Sequence, residues 1–243
     1  MVNFGRRIGL HEDTVSSDVP LTPPCFPSRT PTDFQVILQL LLTPVVLKHR
    51  ITLDVFRHGE TLNNQLGLIT GASDVPLSPR GQQQAEWLGH QLDQHYDLAF
   101  SSSLKRARET LALAMKAGKV MVEGIFADSR LDERSLGVLE GQPARPLGPY
   151  ARGEFQFAPA QGDSYETVTL RLLSFLLDLA TYSMHHNIQK VAISTHMGCL
   201  RILTGILEKE RDPVKVLARK FNNASIMRLP WTDITYPIFL RKQ

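Results

Sequence analysis

From about Thr52 onward, hydrophobic positions along the chain fall into two alternating rhythms. Short apolar runs, "TLDVFRH", "LAFSSS", "VMVEGIFA" and "KVAISTH", read as strands buried on both faces. Between them apolar residues recur at three- and four-residue steps. "SPRGQQQAEWLGHQL" opens with Ser78 as a helix N-cap and Pro79 as the first helical residue. "SLKRARETLALAMKAG" places Leu104, Ala107, Leu111 and Ala114 on one face and closes on Gly118. "YETVTLRLLSFLLDLATYSMHH" predicts a long amphipathic helix, and "GCLRILTGIL" predicts another after the last clear strand. Strands alternating with helices of this length imply a mostly parallel sheet covered on both faces, an α/β fold arranged as a three-layer α/β/α sandwich.

The first fifty residues follow neither rhythm. "SSDVPLTPPCFPSRTPTD" is rich in Pro, Ser and Thr and reads as extended or disordered chain. The apolar run "FQVILQLLLTPVVL" is interrupted by Pro44 and is shorter than the roughly 20 residues that cross a bilayer. Residues 1–50 are therefore expected to be a partly disordered, non-catalytic extension, and residues 51–243 the functional domain.

Composition narrows the function classes. With 243 residues, 42% hydrophobic and 21% charged, the chain has the make-up of a globular domain. A net charge of +3 without dense Lys/Arg clusters argues against nucleic acid and suits a small anion. Cys25 and Cys199 match no metal-ligand spacing and no disulfide framework, which points to a reducing compartment. No membrane partner is expected, a cytoplasmic location is the default, and the oligomeric state stays open.

In α/β sheets ligands gather beyond the carboxyl ends of the strands. His58 and His196 both fall at that end of their strands, beside Arg57 and near the helix start that carries Arg106. A loop after the third strand delivers Glu133 to the same edge. Guanidinium groups match phosphate oxygens and stay charged. A neutral imidazole is a nucleophile, and a protonated one is an electrostatic clamp. Asn64 and backbone N–H groups beside Gly59 or at Thr70 and Gly71 are available for the remaining oxygens. A phosphate dianion nearby favours the protonated form of Glu133, as a general acid requires. The set fits phosphoryl transfer through a phosphohistidine, with the arginines and second histidine supplying the charge stabilisation, so neither metal nor cofactor is expected.

The blocks "RHGET..N", "DVPLSPRGQQQA", "SSSLKRARET", "RLDERSLGVLEG", "GDSYETV" and "STHMG" occur in the order and spacing of the histidine phosphatase superfamily. The chain most resembles its phosphoglycerate mutase-like branch, over roughly 52–231. The resemblance implies that His58 is phosphorylated and that Arg57, Arg106 and His196 complete the phosphate pocket. It further implies that Asn64 contacts the phosphoryl group, that Thr70 and Gly71 lie in the substrate-facing loop, and that Glu133 is the proton donor. "FNNASIMRL" resembles the segment that closes the fold and is taken as structural. Met197 stands where the family has glycine after its second histidine. Its backbone N–H still serves if φ is negative, but its side chain would narrow the pocket or shift His196.

Mutases of the family carry a pattern like "ERHYG..QG.NK" after the acid, whereas this chain has "ERSLGVLEGQPARP". That favours a phosphatase of small phosphorylated metabolites, of sugar phosphate or phosphoglycerate type, resembling the fructose-2,6-bisphosphatase-like members. Arg145 and Arg152 keep a second anionic group, and hence a phosphoglycerate mutase, as the alternative. Met197 and the extension motivate a third reading, a catalytically weak phosphate-binding regulatory relative.

Overall fold

The structure is a computed structural model and describes residues 45–235 and 237. Its centre is a five-stranded sheet in the order β3-β2-β4-β1-β5. Strand β1 is Val45–Arg57, β2 His95–Ser101, β3 Met121–Ala127, β4 Lys190–Thr195 and β5 Ile226–Ile234. The pairings β1–β4, β2–β4 and β2–β3 are parallel, and β5 runs antiparallel along β1. β1 begins at Val45, which pairs with Ile234. The sheet thus reaches into the segment read as an extension, of which residues 1–44 lie outside the described residues.

The helices, in chain order, are α1 (Leu62–Gln65), α2 (Pro79–Gly89), α3 (Lys105–Gly118), α4 (Gly148–Ala151), α5 (Tyr165–His185), α6 (Met197–Leu207) and α7 (Pro213–Ala218). Period-2 alternation sorts the strand residues between two cores. Leu53, Val55, Leu98, Phe100, Val191 and Ile193 pack with α5 and α6. Phe56, Ala99 and Ala192 pack on the other face with Leu88 of α2 and Leu111, Ala114 and Met115 of α3. Burial on both faces explains why β1, β2 and β4 read as near-continuous apolar runs. The expectation fails for β3, which lies at the sheet edge and has no fully buried residue, with Met121 and Ile125 exposed. The expected three layers are present. Among the described residues, no helix is long and apolar enough to cross a membrane.

Local signals set the helix starts. Ser78 caps α2 by accepting from Gly81 N–H, and Pro79 follows as its first residue. Ser164 caps α5 through Thr167 N–H. α3 and α6 have no side-chain cap, and both start at the carboxyl edge of the sheet.

Register brings that edge together. Arg57 pairs with Thr195, Ser101 with Ser194, and Ser101 also with Ala127. The residues one step further on are His58, His196, Ser102 and Asp128. His58 N–H donates to Thr195 O, and Ser102 N–H to Ser194 O.

Candidate active site

His58 and His196 lie buried with ring centroids 5.1 Å apart and planes tilted by 54°. Nδ1 of His58 sits 2.7 Å from the carbonyl oxygen of its neighbour Gly59. A carbonyl only accepts, so Nδ1 carries the proton and Nε2 keeps the lone pair in the neutral ring. Burial holds the His58 pKa well below the ordinary 6.5, and the Arg106 and Arg57 charges push it further down. His196 is shifted in the same direction, by burial first and then by Arg106, His58, Arg171 and Arg57. The free site therefore keeps both imidazoles neutral at pH 7, the form a nucleophile requires.

The arginines are positioned by backbone carbonyls. Arg57 Nη1 donates to Phe221 O at 2.8 Å. Arg106 uses Nη1 for Ser73 O at 2.7 Å and Nη2 for Gly71 O at 2.8 Å. On α3 Arg106 is buried while Lys105 and Arg108 are exposed, so the helix face selects the residue that enters the site. Burial lowers the Arg57 pKa to about 10, opposed by the Glu133 charge, and lowers that of Arg106 similarly. Both remain cations at neutral pH. The Nε atoms of Arg57 and Arg106, Nδ1 of His196 and Oγ1 of Thr70 are buried without a hydrogen-bond partner among the described residues. Unmatched buried polar atoms are costly unless a ligand satisfies them. Here most are cationic or donor groups, and an oxyanion is the complementary ligand.

Glu133, half-buried, accepts Gly198 N–H on Oε2 at 2.9 Å and Arg134 N–H on Oε1 at 3.0 Å. These bonds fix the carboxyl group while leaving each oxygen a further lone pair. A Cβ at Gly198 would lie 2.2 Å from Glu133 Oε1, so the approach requires glycine there. Met197 is the first residue of α6 and is not among the residues of positive φ. Its backbone satisfies the condition set by the sequence.

Asn64 is set by a capping box with Thr61, and its Oδ1 also accepts from Asn223 Nδ2 at 3.1 Å. Its amide NH₂ is left for another partner. Asn223 also donates to His58 O at 3.1 Å, so the "FNNAS" segment ties the nucleophile turn to Asn64. The 70–73 loop is held on one side by Arg106 and on the other by Glu140. The Glu140 carboxylate accepts from Ala72 N–H at 2.9 Å, Ser73 N–H at 3.1 Å and Leu136 N–H at 2.9 Å. Gly71 has φ of +54°, and a Cβ there would meet Glu140 Oε1 at 2.1 Å.

All eight residues singled out in the sequence, Arg57, His58, Asn64, Thr70, Gly71, Arg106, Glu133 and His196, belong to this connected cluster. One expectation fails. The Gly59 N–H is not free for a phosphate oxygen, because it donates to Thr110 Oγ1 at 2.9 Å. Thr110 lies one turn beyond Arg106 on α3, and its hydroxyl donates to Arg106 O. Sequence reasoning missed Glu140, Asn223, Ser102 and Asp132. Ser102 had a readable signal, since it follows the last residue of β2 as His58 follows β1 and His196 follows β4. Cys199 is inert at neutral pH: burial pushes its thiol up to about 12, and Sγ donates to Asp132 O at 3.0 Å. Of the two arginines offered for a second anion, Arg145 is exposed, and Arg152 pairs with Glu154 at 2.5 Å.

A family model described as histidine phosphatase superfamily (branch 1) matches residues 53–238. A broad-specificity phosphatase of Saccharomyces cerevisiae is 32% identical over 165 residues, which covers 66% of this chain and 71% of the relative. A 2,3-bisphosphoglycerate-dependent phosphoglycerate mutase of Cytophaga hutchinsonii is 32% identical over 164 residues, covering 64% and 76% respectively. The crystal structure of a phosphoglycerate mutase from Bacillus anthracis superposes with a TM-score of 0.61 at 22% identity, covering 79% of this chain and 93% of that one. At that identity the likeness speaks for the fold.

Proposed function

The chain belongs to the histidine phosphatase superfamily, and on that premise we propose that it hydrolyses small phosphate monoesters through a phosphohistidine at His58. The carrying observation is the Nδ1–Gly59 carbonyl bond, which leaves Nε2 unprotonated inside a buried cage of Arg57, Arg106 and His196. In the first step the Nε2 lone pair forms the N–P bond as the ester P–O bond breaks. The departing oxygen takes its proton from the carboxyl form of Glu133. In the second step water attacks phosphorus and gives its proton back to Glu133, and the N–P bond breaks to release phosphate. The two guanidinium groups neutralise the charge that develops on the phosphoryl oxygens, the largest contribution expected of such a site.

A phosphatase is favoured over a mutase because a mutase must retain a second anionic group while the phosphoryl group is transferred. Arg145 and Arg152, the cations offered for that purpose, are respectively exposed and paired with Glu154. The Cytophaga relative's name keeps transfer to a second hydroxyl as the alternative outcome.

The test is phosphate release from an aryl phosphate, fructose 2,6-bisphosphate and 3-phosphoglycerate, with chelator throughout, by wild type and His58→Ala. Release that survives chelation and falls at least about a thousandfold in the variant supports the reading. Release that requires added metal, or that persists in His58→Ala, overturns it. Isomerisation of 3-phosphoglycerate without net release assigns a mutase.

A further inference from the structure

His196 Nε2 lies 2.7 Å from Ser102 Oγ, and Ser102 Oγ lies 2.7 Å from Asp132 Oδ1. Ser102 and His196 are fully buried. A serine hydroxyl has one proton and two lone pairs. Leu104 N–H already donates to Ser102 Oγ at 3.1 Å. The single hydroxyl proton goes to the stronger acceptor, the Asp132 carboxylate rather than a neutral imidazole. One lone pair then remains, and it can only accept the Nε2–H of His196. Asp132 is itself immobilised, accepting Ser103 N–H on Oδ1 and Ser103 O–H on Oδ2, each at 2.7 Å. This chain of bonds at His196 and the Gly59 carbonyl at His58 set the two imidazoles in opposite tautomers. His58 carries its proton on Nδ1, and His196 carries its own on Nε2.

We propose that Ser102 and Asp132 are positioning residues that fix the tautomer of His196 and reserve its Nδ1 for the phosphoryl group. The inference rests on the phosphatase reading for its catalytic consequence, but not for the tautomer itself. Nδ1 is the ring atom without a partner among the described residues. In the neutral ring it presents a lone pair, which takes the proton of the monoanionic phosphate ester as that ester binds, and the resulting Nδ1–H donates to a phosphate oxygen. The imidazolium formed then has its other N–H already directed through Ser102 at a carboxylate, which stabilises the positive ring where the phosphoryl charge requires it. A ring of the opposite tautomer would offer Nδ1–H without that support.

The experiment is ¹H–¹⁵N correlation across the imidazoles of the resting, ¹⁵N-histidine-labelled protein at about pH 8, above the ordinary imidazole range. It is run on wild type, Ser102→Ala, Ser102→Thr and Asp132→Ala. Wild-type His196 should be the Nε2–H tautomer. Ser102→Ala should lose that preference and about ten- to a hundredfold in kcat, as for loss of a group that orients a reacting imidazole. Ser102→Thr, which keeps the hydroxyl, should restore both. Asp132→Ala frees the serine proton to point at Nε2 and should turn the ring to Nδ1–H. An Nδ1–H tautomer in the wild type overturns the proposal without recourse to any variant. So does an unchanged tautomer with unchanged kcat in a folded Ser102→Ala. Because the tautomer is read without substrate, absence of phosphatase activity would defeat the functional reading and leave this result standing.

Discussion

Gly198→Ala separates activity from stability at one position. The added Cβ would lie 2.2 Å from Glu133 Oε1 and 3.1 Å from Cδ, where ordinary contact begins at 3.4 Å. The atom in the way is the far end of a flexible side chain, so the backbone can stay while the carboxyl group retreats by about 1 Å from its Gly198 and Arg134 N–H donors. Displacement on that scale costs roughly a hundredfold when the displaced group takes part in the reaction. Stability should change little, because the helix gain of alanine over glycine, up to about 1 kcal/mol, offsets the weakened bonds from Gly198 and Arg134 N–H to the displaced carboxylate. The effect should depend on the leaving group. An alkyl phosphate needs a proton on its departing oxygen and should lose about a hundredfold in kcat/KM. A dinitrophenyl ester, whose phenolate leaves unaided, should lose far less. The assay is kcat/KM across leaving groups, with thermal unfolding in parallel. Equal loss on both esters, or none on either, would refute Glu133 as the proton donor.

Three further outcomes follow from the same geometry. His58 and His196 stay neutral in the folded protein well below pH 6.5, whereas the unfolded chain takes up protons at about 6.5. The unfolded state then binds more protons, so stability should fall as pH drops below that value, by about 1.4 kcal/mol per unit for each histidine. Denaturant unfolding between about pH 7 and 5 should show this slope, and His58→Asn should remove one histidine's share of it. Glu140→Ala removes the acceptor of Ala72, Ser73 and Leu136 N–H and should raise KM about tenfold with a smaller change in kcat, by loosening the 70–73 loop. An unchanged KM would show that Arg106 alone holds that loop. Cys199→Ser should keep turnover within about threefold, since small buried polar swaps that preserve a donor cost little, whereas complete loss would point to the thiol.

The alternation of apolar runs and helical periods carried the layers, because β1, β2 and β4, buried on both faces, leave apolar runs. The apolar run of β3 reads as buried too, although that strand is a partly exposed edge. The two histidines were legible for a related reason: each follows immediately on such a run, and parallel register brings those positions together. Arg106 was legible only through its block, and the helix face shows why, with Lys105 and Arg108 turned to solvent. Ser102 was passed over because a serine after a strand also looks like the start of a loop, although its place directly after β2 matches those of the two histidines after their strands. Glu140, Asn223 and Asp132 act through tertiary hydrogen bonds, which leave no period in the sequence. The Gly59 amide was misjudged for the same reason, since its partner Thr110 comes from another element. The early start of β1 depends on pairing with β5 near the far end of the chain.

The most direct test of the account is an acid-free quench of the wild-type protein during turnover of an aryl phosphate, followed by mass spectrometry and ³¹P NMR of the digest. The account predicts phosphate on His58 at Nε2, the nitrogen left unprotonated by the Gly59 carbonyl, and none in His58→Ala. Phosphate on Nδ1 or on another residue, or a pre-steady-state burst without any phosphohistidine, would contradict it.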